Sequence, residues 1–138
     1  MRPSTPTASR SISSKIVVDT GAVLNFFQGE ARAIATITSS PDVLLPAIAL
    51  GELYLGVRRC KQPQTETAKI EAFATRCTPL HVDFETGKHF ADILHHLERT
   101  GQRIPSNDTW IAALAIQHNC PLFAADAHFT RITDLKLA

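Results

Sequence analysis

The chain has 138 residues and a formal net charge of +1, with 44% hydrophobic and 20% charged residues. This is the composition of one soluble globular domain, too short for two ordinary ones, and no apolar run approaches the ~20 residues of a membrane-spanning helix. The near balance of 14 Lys and Arg against 13 Asp and Glu excludes a protein that grips nucleic acid by bulk charge, so any such role has to rest on a local site.

Residues 1–14 are Ser, Thr, Pro and Arg with almost nothing to bury. They read as a disordered tail or one added for expression, with a single domain over 15–138. Lys15 to Val18 is a short β-branched run that ends on Asp19, which puts a carboxylate at the exit of a strand. Thr20 to Gln28 is predicted to be a helix packing Val23, Leu24 and Phe27, closed by Gly29. A second helix over Glu30 to Ser40 leads to a strand at Val43 to Pro46 and a helix over Ala47 to Val57. In that helix Glu52 stands among Ile48, Leu50, Leu53 and Leu55, unusual company for an acid. Arg58, Arg59 and Lys61 follow as a basic cluster, read either as an RNA-backbone contact or as a solvated face. Gln64 to Arg76 is the next helix, Leu80 to Val82 a third strand, and Asp83 the cap of a helix from Phe84 to Thr100 that Gly101 ends.

Pro105, Ser106 and Asn107 then punctuate the start of a helix over Asp108 to His118, in which Trp110, Ile111, Leu114 and Ala115 recur at the spacing of one buried face. Cys120 to Ala125 reads as a buried strand, and Leu135 to Ala138 as a last edge strand. The helix covers about 15 Å at ~1.5 Å per residue, and Pro121 to Asp126 covers roughly 17 Å at ~3.3 Å per residue. The strand therefore climbs back to the level at which the helix began, and Asp126 is expected beside Asp108.

Strands alternating with helices predict an α/β fold, a central parallel sheet flanked by helices on both faces, whose ligand site forms beyond the carboxyl ends of the strands. Asp19, Glu52, Asp108 and Asp126 all fall at that end. Each acid alone has an ordinary reading, as a helix cap, a turn residue or a half-exposed helix acid. Together they would repel one another unless a cation takes up the charge. Oxygen donors without His or Cys suit Mg²⁺ or Mn²⁺, which activate water and steady a phosphodiester under attack. The six histidines show no metal-binding spacing; His128, beside Asp126, is the one candidate exception. Cys60, Cys77 and Cys120 fit neither a disulfide framework nor a zinc spacing and read as buried thiols in a reducing cytoplasm.

The stretches VVDTGAVLNFF, IALGELYLGV, IPSNDTWIAALA and LFAADAHF, in this order and spacing, resemble the PIN-domain ribonucleases, most closely the VapC toxins of bacterial toxin-antitoxin pairs. The resemblance runs from Lys15 to Ala138. It implies that Asp19, Glu52, Asp108 and Asp126 form an acidic metal site, that RNA is cleaved with Mg²⁺ or Mn²⁺, and that the chain forms a homodimer neutralised by a VapB-like antitoxin. Gly21, Ala49 and Ala124 depart from the family pattern, which often has a hydroxyl or amide side chain at these places. The competing readings are a PIN-like module that binds RNA or protein without cutting, and a DNA- or structure-directed nuclease. Of Phe26 and Phe27, adjacent on one helix, one is expected to face away from the core and to be open to a partner.

Overall fold

Ile16, Val17 and Val18 are buried in strand β1 (Lys15–Val18), the strand around which the others are laid. The computed structural model describes residues 15–138, so the tail expected over 1–14 lies outside the described residues. β1 pairs in parallel with β2 (Asp42–Pro46) on one side and β4 (Leu122–Phe123) on the other, and β3 (Thr78–Leu80) extends the sheet beyond β2. The chain thus steps from β1 to β2 to β3 in one direction and then returns across the sheet to β4. With this strand order, the right-handed rule for parallel crossovers assigns α1 (Thr20–Phe27), α2 (Ala31–Ser39), α3 (Ala47–Arg58) and α4 (Pro63–Thr75) to one face and α5 (Phe84–Arg99) and α6 (Ser106–Gln117) to the other. The parallel α/β architecture expected from the sequence is the one observed.

The differences in detail have local causes. β3 ends at Leu80 instead of running to Val82: Leu44, Leu45 and Pro46 pair with Thr78, Pro79 and Leu80, whereas Val82 is exposed. Pro79 is tolerated because β3 is an edge strand. β4 is confined to Leu122–Phe123 because only these residues find partners, Val17 and Val18. Ala124 and Ala125 leave the ladder and carry Asp126 to the cleft that Asp19 lines at the end of β1. The expected edge strand over Leu135 to Ala138 is a single bridge between Leu122 and Leu137, supported by Leu122 N–H to Lys136 C=O at 2.8 Å. A 3₁₀ helix at Ala127–Arg131, capped by Asp126, was not signalled by periodicity.

α6 is buried on nearly every side. Ile111 to Ala115 are all at 0% exposure, while Trp110 stacks on Phe90 of α5 with ring centroids 3.9 Å apart. The single buried stripe expected from the sequence is therefore a helix enclosed all round, as its apolar content allows. That enclosure fixes the helix start, and with it Asp108.

Candidate functional site

Each of the four acids is placed by an element boundary or a helix face. Asp19 is the first residue after β1 and the N-cap of α1, with Oδ1 accepting the Ala22 N–H at 2.7 Å. It is a buried carboxylate, 4% exposed. Glu52 projects from the middle of α3 and is half-buried. Asp108 sits in the first turn of α6, where free N–H groups and the helix dipole favour a negative charge. Asp126 follows β4 and caps the 3₁₀ helix, Oδ1 accepting the His128 N–H at 3.0 Å. The structure brings all four to one open cleft of about 400 Å³, whose walls include Thr20, Gly21, Ala125 and Ala127.

The electrostatics of this cleft are unfavourable without a cation. Burial pushes the Asp19 carboxyl up to about 6 from an ordinary 3.8; the amides of Ala22 and Ala125 oppose the shift, and the charges of Asp108 and Asp126 add to it. Asp108 is also raised, first by burial, then by the charges of Glu52 and Asp126, against the lowering effect of His128. Burial and like charge both raise proton affinity here, and a positive partner would oppose both.

Three neighbours whose contacts with the acids are not evident from sequence, Thr20, Asn107 and His128, touch them in the fold. The Thr20 hydroxyl donates to Glu52 Oε1 at 2.6 Å, and Asn107 Nδ2 donates to Glu52 Oε2 at 3.3 Å, so both oxygens of Glu52 are engaged. Their adjacency to Asp19 and Asp108 was the available signal. His128 lies between the other two acids: Nε2 is 2.8 Å from Asp108 Oδ2 and Nδ1 is 3.1 Å from Asp126 Oδ1. Asp108 and Asp126 thus line the same cleft, with the imidazole in contact with both. Nε2 is buried and makes no well-directed hydrogen bond to Asp108 at 2.8 Å.

Among the described residues no three His, Cys, Asp or Glu side chains are already gathered as ligands about one point. The cleft nonetheless fits a hard divalent ion by donor type and by charge: four carboxylates, two with raised proton affinity, and an imidazole wedged where positive charge is wanted.

Away from the cleft, Phe26 and Phe27 both pack on Phe73 of α4, with centroids 5.4 and 5.6 Å away, and both are half-buried. The expectation that one of the pair turns away from the core is corrected: Phe73 stands at the gap between them and takes both rings. The three rings line a cavity of about 480 Å³ that includes Lys69 and Arg76. Arg58, Arg59 and Lys61 are exposed at the end of α3, with Arg58 roughly 9 Å along the helix from Glu52 at ~1.5 Å per residue. Cys60, Cys77 and Cys120 are free, and burial pushes the Cys77 thiol up to about 11, which makes it unreactive.

Residues 16–135 match the model of the PIN domain family. The chain is 29% identical over 92 residues to Ribonuclease VapC4 of Mycobacterium tuberculosis, covering 65% of this chain and 71% of that one. Its fold superposes on VapBC2 from Rickettsia felis, solved bound to a DNA fragment from its promoter, with a TM-score of 0.84 at 22% identity, covering 90% and 97% of the two chains. A second match is VapBC-5 from Mycobacterium tuberculosis, a member of the VapBC family of toxin-antitoxin systems, with a TM-score of 0.74 at 25% identity and coverage of 90% and 97%. The chain belongs to the PIN-domain family.

Proposed function

We propose that this PIN-domain chain is the toxin of a type II toxin-antitoxin pair, an endoribonuclease that hydrolyses RNA phosphodiesters using Mg²⁺ or Mn²⁺ held by Asp19, Glu52, Asp108 and Asp126. The observation that carries the reading is the convergence of these four carboxylates on one cleft with Asp19 pushed up to about 6. Its relatives named as VapC ribonucleases and its structural neighbours from VapBC complexes support both the activity and a VapB-like antitoxin partner.

Asp19 and Asp108 are the principal ligands, and Glu52 and Asp126 complete the shell and position water. Bound there, the ion supplies water activation and neutralises charge on the phosphodiester. The chain supplies orientation. The Ala22 amide fixes Asp19, Thr20 and Asn107 fix the two oxygens of Glu52, and the start of buried α6 fixes Asp108. We assign the homodimer and a cytoplasmic site of action from the family; among the described residues no helix is long and apolar enough to cross a membrane. The groove lined by Phe26, Phe27 and Phe73 offers the antitoxin an apolar seat, and an Arg from its C-terminal segment would pair with the carboxylates of the cleft.

A second reading, a PIN module that binds RNA without cutting it, is favoured by the open spacing of the four acids. Incubation of purified protein with labelled RNA separates the two. Cleavage that needs Mn²⁺ and is abolished by Asp19→Asn supports the nuclease; RNA bound but uncut at all metal concentrations supports the module.

A further inference from the structure

Gly21 is the one glycine of the described residues whose missing side chain is needed for space. A Cβ built on it would lie 2.9 Å from Ala125 Cβ and 3.8 Å from both Asp19 carboxylate oxygens, whereas Gly29, Gly51, Gly56, Gly87 and Gly101 have nothing within 4 Å. Its φ is not positive, so backbone freedom is not the reason for it. Ala125 Cβ is attached directly to the main chain and has no flexible end to yield. On the other side, Gly21 is in α1, anchored by Ala22 and Val23 at 1% and 0% exposure. Ala125, Asp126 and Ala127 are exposed and outside the strand ladder. A side chain at Gly21 would therefore displace the Ala125 loop and leave α1 in place.

We propose that Gly21 and Ala125 form a matched small pair that seats the Asp126 loop against the Asp19 end of the cleft, making Gly21 a positioning residue for the hydrolysis. The inference rests on the nuclease reading above for its effect on cleavage, but not for its effect on geometry. The same close approach brings the Ala125 amide near enough to Asp19 to lower its proton affinity. Relieving a 2.9 Å contact moves Asp126 by about 0.5–1 Å, and a misplacement near 1 Å in a catalytic constellation lowers rates by as much as ~100-fold.

The test uses the full chain as Gly21→Ala, as Ala125→Gly, and as the double variant that restores the lost space. Two quantities are read: cleavage of labelled RNA with Mn²⁺, and, in metal-free protein, the amide resonance of His128, whose N–H donates to Asp126. Gly21→Ala is expected to cut RNA ~10- to 100-fold more slowly and to shift the His128 resonance; the double variant is expected to return both to parental values. Parental cleavage and an unmoved resonance in Gly21→Ala, or a double variant no better than the single, would overturn the pairing. If Gly21→Ala does not fold, a folded double variant with the parental His128 resonance supports the proposal and an unfolded one refutes it. A parent that cuts no RNA would defeat the nuclease reading, while the His128 resonance still decides the pairing.

Discussion

Asp19 and Asp83 are the same local device in opposite surroundings. Each is the N-cap of a helix, and each accepts the N–H of the residue three further on, Ala22 at 2.7 Å and Thr86 at 3.1 Å. At Asp83 the motif is complete: Thr86 returns the favour by accepting the Asp83 N–H at 3.0 Å, and Gln117 of α6 adds a donor at 2.9 Å. The Asp83 carboxyl is held below its usual range, first by the Thr86 amide and then by Gln117. Asp19 is buried among acids and pushed up to about 6. The exposed cap is governed by its donors; the cap that lines the cleft is governed by burial, which outweighs the amides of Ala22 and Ala125.

The largest expected contrast is catalytic. Asp108→Asn, which keeps shape and removes charge from the cleft, should slow RNA cleavage by about 100-fold or more, the order found when one electrostatic element of a site is lost. Asp83→Asn should leave cleavage unchanged. A gel assay with Mn²⁺ checks both, and equal losses would erase the distinction between the two caps.

The next contrast is in stability and has the reverse sign. A carboxyl raised from 3.8 to about 6 in the folded state binds its proton more tightly there than when unfolded. Its contribution is therefore fully present below about pH 4 and lost as pH rises through about 6, amounting to about 3 kcal/mol for two units. Asp19→Asn keeps the capping oxygen and should raise the melting temperature of metal-free protein at pH 7 by roughly 5–10 °C, with little gain at pH 4. Asp83, whose shift is downward, contributes above its ordinary range and loses that contribution in acid, so Asp83→Asn should destabilise at pH 7. Thermal unfolding across pH 4 to 8 reads both; a stabilised Asp83→Asn or a destabilised Asp19→Asn at neutral pH would reverse the account.

A smaller effect is expected where the cleft does have a donor. Thr20→Val removes the hydroxyl that holds Glu52 Oε1 at 2.6 Å and should reduce cleavage by ~10-fold, in the range of lost support to a ligand. Glu52 would remain tied only through Asn107. Steady-state kinetics showing parental cleavage would mean that Glu52 needs no orienting.

The sequence already pointed to β1, the helices and the strand-exit position of Asp19, because β-branched runs and helical periodicity are local signals. It was less informative wherever register decides. β3 slid by two residues because its pairing with Leu44 to Pro46 overrode the apolar Val82, and β4 shrank to the two residues that β1 can pair. The four acids could be named from their positions beside strand exits and helix starts. The clasp of Thr20 and Asn107 on Glu52 spans 32 and 55 residues of sequence, a separation that no periodicity encodes. His128 was marked by its adjacency to Asp126, but its insertion toward Asp108 depends on the 3₁₀ turn that follows. The space at Gly21 is a contact between Cβ positions far apart in sequence, visible only once the chain has folded.

Anomalous diffraction from crystals grown with Mn²⁺ reads whether the cleft gathers a divalent ion between Asp19 and Asp108. One strong manganese peak is expected in the cleft, ligated by carboxylate oxygens of both residues at about 2.1 Å and absent from crystals of the Asp19→Asn, Asp108→Asn double variant. A cleft without manganese in protein that cuts RNA, or a peak that persists in the double variant, would contradict it.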